Sequence, residues 1–516
     1  MNDERVLLHQ LRAHLSAGLI QQDDIRFLRP EAWGALMELG PGCFDYFCWD
    51  GVSVAARPGV WDSSPDFEST CSELLESMER IGVDGVLMDD QKLLLMVRMA
   101  ADLAGRIMPR QKHEPSTAHI EAAMGKLMLF LWLVDATVDE CRRVFGPARS
   151  SAERARDRQR GYSEHPGHRC INSLTDLYMG ALEGSSEHEL LAQAAAASCE
   201  QLFAARADIL GGSEGEQIRA AISGLCTGPA LLLREFSAAL REEFENRQVT
   251  AGRFIQSMYE HLRSRHDEID RCDDLDMEAY RKVRISSSAV EPVFWIRLEV
   301  AMRISEKCGT GIDYRSLEYF LDRYPEVAAH LLDHLNMQIC TINDLAGVVK
   351  DVGEGDTMNC AFVAARDMMP GVDLDPRNVD PVWFRKAIRE CVDMANRDLA
   401  EVLGALRAMV DLDPVAAYLF HEAARDFLMG HLFWVWGEHA SWRYRASFPF
   451  IRRILDRDHR QDALVSALDH PGLRSGELRC VELLIETSSL NTGEFGGPTT
   501  SGEIPGVLRS GEVPID

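Results

Sequence analysis

The chain has 516 residues, enough for one large core or two ordinary ones, so length alone leaves the domain count open. Its 46% apolar and 27% charged residues are those of a globular protein, and a net charge of −27 argues against nucleic-acid binding, which leaves a basic footprint. No apolar run approaches the ~20 residues that span a bilayer, and the 13 cysteines form no CxxC pair and no zinc-like spacing, so free thiols in a soluble, cytoplasmic protein are expected.

In chain order, Met-Asn-Asp-Glu-Arg leads into a polar amphipathic stretch rather than a signal peptide. Residues 31–63 collect Gly, Pro and aromatic residues and read as irregular, so 1–85 is set apart as a partly helical N-terminal extension. From 86 to 455 helical periodicity dominates, with long Ala/Leu/Arg/Glu-rich stretches at 93–107, 119–134, 187–209 and 218–245. Strand signals are sparse, and the expected class is all-α. Residues 146–172, rich in Arg, Ser, Gly and His, read as a long exposed loop. A C-terminal helix and tail occupy 456–516; from Ser488, with Gly-Gly-Pro-Thr-Thr-Ser-Gly, the tail lacks the apolar content to fold and is expected to be disordered.

Four segments could carry chemistry. In Phe130-Leu-Trp-Leu-Val-Asp135-Ala-Thr-Val-Asp139-Glu140 an apolar helix ends in two carboxylates at i and i+4, with Leu131 and Trp132 one turn earlier as wall residues. Alone, this also fits a helix turning polar at its solvated end. Tyr280-Arg-Lys-Val-Arg284-Ile-Ser-Ser-Ser288 sets an arginine beside small hydroxyl residues. Thr341-Ile-Asn-Asp-Leu-Ala-Gly-Val-Val-Lys-Asp351 puts Asn343, Gly347 and Asp351 on one helical stripe with Asp344 beside it. Amide and carboxylate oxygens there suit a hard divalent cation such as Mg²⁺, and Lys350 adds a cation where a metal-bound phosphate would lie. A helix cap or a calcium-like loop is the competing account of that segment. Last, Trp434-Val-Trp436 precedes Ser441-Trp-Arg443-Tyr444. The planar fork of an arginine suits phosphate oxygens, although a single arginine equally fits a surface ion pair.

Taken together and in this order, the segments resemble the class I terpene synthases of the microbial, single α-domain kind. Asp135-Ala-Thr-Val-Asp139-Glu140 is similar to that family's Asp-rich motif, Arg284 to its pyrophosphate-sensing arginine, Asn343 to Asp351 to its second metal motif, and Arg443-Tyr444 to its late Arg-Tyr pair. The segment 99–109 also resembles the helix before the Asp-rich motif, and the likeness covers about residues 90–455. Three departures stand out. Ala136 occupies the place of a second Asp, Gly347 that of a Ser or Thr, and Asp351 that of a Glu.

The resemblance implies a class I terpenoid synthase helical bundle over 86–455, with three Mg²⁺ ions clamping a prenyl diphosphate. Asp135 and Asp139 would hold two ions and Asn343 with Asp351 the third. Arg284, Lys350, Arg443 and Tyr444 would bind the diphosphate, and Ser287 and Ser288 would fall at the linker and effector positions that trigger ionisation. Leu131, Trp132, Trp295, Phe433 and Trp434 are the expected pocket wall, although aromatic residues on helices are more often core. The implied reaction ionises farnesyl or geranylgeranyl diphosphate and cyclises the cation to a hydrocarbon or alcohol. The family analogy also allows a homodimer. Two alternatives stay open: a prenyl-chain elongating synthase, which needs two DDxxD motifs where no adjacent Asp pair here (Asp23-Asp24, Asp89-Asp90, Asp273-Asp274) has an Asp four positions after its first, and a non-catalytic helical scaffold that keeps the motifs.

Overall fold

A computed structural model describes residues 66–81, 90–108, 118–145, 156–185, 187–210, 222–244, 249–269, 275–307, 314–354, 358–368 and 381–435. Among these the regular structure is helical, with no strand. The helices are α1 (Phe67–Ile81), α2 (Asp90–Ile107), α3 (Ala118–Phe145), α4 (Pro166–Glu183), α5 (His188–Leu210), α6 (Pro229–Glu243) and α7 (Ala251–Ile269). They continue as α8 (Met277–Ser287), α9 (Val290–Lys307), α10 (Tyr314–Arg323), α11 (Pro325–Glu354), α12 (Cys360–Met368), α13 (Pro381–Leu412) and α14 (Pro414–Val435). The chain is all-α, as its periodicity implies. Most of the expected N-terminal extension and all of 456–516 lie outside the described residues.

Local chemistry sets the boundaries. Five of these helices begin on proline, whose fixed φ suits the first turn and whose missing N–H is unneeded there. Asp276 caps α8 by accepting the Ala279 N–H at 2.7 Å, and Asp413 caps α14 by accepting those of Val415 and Ala416, both at 2.9 Å.

Packing runs in a closed circuit: α2 against α3, α3 against α7, α7 against α8 and α9, α8 against α11, α11 against α13, α13 against α14, and α14 back onto α2. The last closure is tight, because a Cβ on Gly430 of α14 would lie 2.6 Å from the Arg106 carbonyl oxygen of α2. Glycine is what lets those backbones meet. One apolar core spans the bundle, and α1 contributes Leu74 and Met78 to it.

The expectation of an exposed loop over 146–172 is overturned from Pro166 onward and at Asp157 and Tyr162, while residues 158–161, 163 and 164 are exposed as expected. Asp157 is buried, bonds His168 Nδ1 at 2.8 Å and accepts the Glu164 N–H at 2.7 Å. Tyr162 stacks on His266 of α7 at 4.0 Å, and α4 already begins at Pro166. The polar composition misled at Asp157, Tyr162 and His168 because these three satisfy one another inside the protein rather than facing water.

Candidate active site

Three of the four singled-out segments fall on helices that meet. Asp135 lies on α3, Arg284 on α8, and the Asn343 stripe on α11. Arg284 Nη2 donates to Asp344 Oδ1 at 2.7 Å, while the Tyr280 hydroxyl, one turn earlier on α8, donates to Asp344 Oδ2. The Cys360 N–H also donates to Oδ2, at 2.9 Å. Asp344 is thus a buried carboxylate with its oxygens engaged, and it locks α8 to α11 and to the start of α12. Burial opposes charge on Arg284, but Asp344 beside it holds the guanidinium well above its ordinary value. Its Nε is buried without a hydrogen-bond partner, which leaves one donor unsatisfied.

Asp135 feels the Arg284 charge and makes its own ion pair with Arg265 Nη2 of α7 at 2.7 Å. Arg265 also binds Glu268 at 2.9 Å and His261 Nε2 at 2.8 Å. Burial of the Asp135 carboxyl, chiefly its sealed Oδ1, pushes its pKa up to about 6 against the pull of Arg265, and Glu268 and Asp139 push the same way. The rest of that side chain is open, with 48% of its surface exposed, and Asp139 one turn on is exposed. The Arg284 charge works against that of Arg265, so two cations lie near one another among Asp135, Glu268 and Asp344. That is a local field able to take an anion, flanked by oxygen donors able to take a cation.

On α11, Asn343 and Asp351 are both half-buried, and Gly347 between them is buried. Asn359 orients the carboxylate: its Nδ2 donates to Asp351 Oδ2 at 2.8 Å and to the Asp344 carbonyl at 2.6 Å. Asn359 Oδ1 in turn accepts the Ala361 N–H at 3.0 Å, capping α12.

Helix α8 stops at Ser287 and α9 starts at Val290, with Ala289 between them at φ +58°. The break frees the Ile285 carbonyl, which accepts Asn336 Nδ2 of α11 at 2.7 Å. Ser288 Oγ donates to Asn336 Oδ1 at 2.7 Å, whereas Ser287 Oγ is buried with no partner. Both serines therefore sit at a pinned helix break next to Arg284.

Trp132 of α3 stacks on Trp434 of α14 at 6.1 Å, and Trp434 Nε1 donates to the Met99 carbonyl at 3.1 Å. Leu131 is buried in the core. Trp295 is placed elsewhere, under Arg253 and against Phe420. Arg253 precedes Arg265 by twelve residues, about 18 Å along α7, so Trp295 belongs to the far end of the bundle from Asp135. The side chains of Lys350 and Phe433 lie outside the described residues, as do Arg443 and Tyr444.

Sequence reasoning missed Arg265, Glu268, Tyr280 and Asn359. A signal existed for the first two. His261, Arg265 and Glu268 interrupt the face of α7 that otherwise carries Phe254, Met258, Leu262 and Ile269. Polar residues within an apolar stripe call for partners inside the protein.

No family model matches the chain, and no curated protein matches it. Among solved structures it is similar to a substituted variant of cucumene synthase at 14% identity with a TM-score of 0.42, over 72% of this chain and 96% of that one.

Proposed function

We propose that this protein is a Mg²⁺-dependent terpene synthase that ionises a linear prenyl diphosphate, farnesyl or geranylgeranyl, and cyclises the resulting cation with release of diphosphate. The observation that carries the reading is the meeting of Asp135, Arg265, Arg284 and Asp344, contributed by α3, α7, α8 and α11. Segments far apart in the chain thereby supply paired guanidiniums beside carboxylates, as a metal-bridged diphosphate requires.

The donor set fits the metal. Asp135, Asp139, Asn343 and Asp351 offer carboxylate and amide oxygens only, on side chains at least partly open, and hard oxygens suit Mg²⁺. Bound there, Mg²⁺ would supply charge neutralisation to the departing diphosphate. Arg284 offers its unsatisfied Nε and Arg265 a second fixed cation, so both donate to oxygens on which negative charge grows as the allylic C–O bond ionises. Lys350, Arg443 and Tyr444 complete the proposed anion contacts. Asn359 holds the Asp351 carboxylate in one orientation. Ser288, through Asn336, fixes the helix break beside Arg284, and Ser287 contributes an unpartnered hydroxyl there. The stacked Trp132 and Trp434, with Leu131, form an apolar wall that excludes water, and aromatic faces stabilise a desolvated cation by about 2 kcal/mol.

The test is product formation. Purified protein with Mg²⁺ and each linear prenyl diphosphate from geranyl to geranylfarnesyl is extracted and analysed by gas chromatography with mass spectrometry. A cyclic product from one substrate is expected, lost in Asp135→Ala and in Asn343→Ala while helical circular dichroism is kept. Full activity in both variants would overturn the site. A longer linear diphosphate would indicate chain elongation, and no turnover or Mg²⁺-dependent diphosphate binding at all would indicate a scaffold.

A further inference from the structure

A second constellation of ligating side chains lies away from Asp135, on the seam of α11 and α13. His330 and His334 stand one turn apart on α11 with ring centroids 4.6 Å from each other. Glu401 of α13 brings its Oε2 to 3.4 Å from His330 Nε2. A donor atom of each of the three lies within 4.8 Å of the other two. We infer that His330, His334 and Glu401 form a surface site for a borderline divalent transition metal, with Zn²⁺ the best match.

The chemistry of the donors selects the metal. Two imidazoles and one carboxylate are a poor set for Mg²⁺, which takes oxygen, and a good one for Zn²⁺ and its first-row neighbours. Zinc holds nitrogen and oxygen at about 2.0–2.1 Å, which makes the edge between two ligands of a tetrahedron about 3.4 Å. The His330–Glu401 separation already has that length.

The outer shell is in place as well. His334 Nδ1 bonds Asp398 Oδ1 at 2.7 Å, and Asp398 is 3% exposed. With Nδ1 engaged, Nε2 is the nitrogen left for a metal, and the carboxylate fixes the ring's orientation. Asp398 is itself held by a two-pronged contact with Arg281 of α8, at 2.9 and 2.7 Å. Asp333, next to His334, adds negative charge nearby. His330 and Glu401 are about half exposed, so an ion can enter and a fourth position faces water. Two features give the site a consequence. It straps α11, which carries the Asn343 stripe, to α13, and its outer-shell Asp398 grips α8 three residues before Arg284. The inference is independent of the terpene synthase reading.

The experiment is a Zn²⁺ titration of chelator-treated full-length protein against a chromophoric zinc indicator, with Mg²⁺ in large excess. One equivalent is expected to bind at micromolar concentration or tighter. The exposed-site variants His330→Ala and Glu401→Gln should each weaken that binding at least tenfold, and Asp398→Asn should weaken it by about 10- to 100-fold. Circular dichroism on each variant checks that the fold is kept. Cobalt substitution should give ligand-field bands without thiolate charge transfer, which separates this site from the buried cysteines. Unchanged affinity in both exposed-site variants, a thiolate spectrum, or no binding in the micromolar range would each overturn the assignment.

Discussion

Arg284 of α8 and Asp344 of α11, 60 residues apart in sequence, are joined at 2.7 Å in a contact that both fixes the seam of two helices and charges the centre of the proposed site. The carboxylate serves Arg284, Tyr280 and the Cys360 N–H together, so its removal strands three donors at once.

Asp344→Asn should therefore lower stability by about 3–5 kcal/mol, the range for breaking a buried charge pair on one side. It should also weaken diphosphate binding, because Arg284 loses the partner that orients it. Urea unfolding followed by circular dichroism reads the first effect and calorimetric titration with diphosphate and Mg²⁺ the second. A loss below about 1 kcal/mol, the range of an exposed pair, would mean that the seam is held elsewhere.

The contrast between Asp344 and Arg284 shows what was legible in the chain. Helical spacing singled out Asp135 with Asp139 and the Asn343 stripe, because in an all-α protein i and i+4 share a face whatever the tertiary contacts are, whereas Arg284 stood out by its hydroxyl neighbours and the family resemblance. Spacing cannot say which of two adjacent residues turns inward, so Asp344 read as a neighbour of the stripe when it is the buried hub. Arg265 was readable in principle from its place in the apolar face of α7. Asn359 was not, since its contact with Asp351 depends on how the chain returns from α11 to α12. Asp157, Tyr162 and His168 misread for the opposite reason: mutual pairing buries what composition assigns to solvent.

Ala289 carries a backbone penalty at the break between α8 and α9. Its φ of +58° lies in the left-handed region, which costs a residue with a Cβ about 1 kcal/mol or more. Ala289→Gly should raise the unfolding free energy by about 1 kcal/mol, less the entropy that glycine adds to the unfolded chain. Loss of stability in that variant would show that the Ala289 methyl, buried in the core, contributes more by packing than the backbone costs.

The described cysteines are all buried, and four of them meet. Cys170, Cys199 and Cys226 have sulfurs within 4.8 Å of one another, and Cys141 contacts Cys170 from α3. Elsewhere, burial pushes the Cys71 thiol up to about 12. A thiol reacts as its thiolate, so burial protects Cys71 twice, by access and by protonation, whereas the thiols around Cys170 hold it well below its ordinary value and leave exclusion of the reagent as its protection. Ellman's reagent should leave the eight described thiols untouched in the native protein and titrate them only as it unfolds in urea. Rapid native labelling of Cys170 or Cys199, mapped by mass spectrometry, would contradict this.

Acid should weaken the fold in two steps, to each of which a buried group on α14 contributes, although the raised pKa of Asp135 opposes the first. Burial lowers the His431 pKa to about 4, while the unfolded chain titrates near 6.5. The unfolded state therefore takes the proton first, and this contribution, present above about pH 6.5, is lost as pH falls toward 4. Burial would raise the Glu422 pKa, but Arg425, 2.8 Å away, with help from His421, brings it to about 2. That contribution is present above about pH 4.5 and is lost between there and 2. Each shift of two units or more corresponds to about 3 kcal/mol. Urea midpoints measured from pH 7 to 3 should fall through both windows in the wild type. His431→Leu should reduce the slope between about 6.5 and 4, leaving the share of His261 and His421, whose pKa values burial also lowers. Glu422→Gln should reduce the lower one, with reduced stability at neutral pH because Arg425 loses a carboxylate beside it while keeping Asp426. A wild-type slope in His431→Leu would show that the imidazole titrates normally and is hydrated in the folded protein.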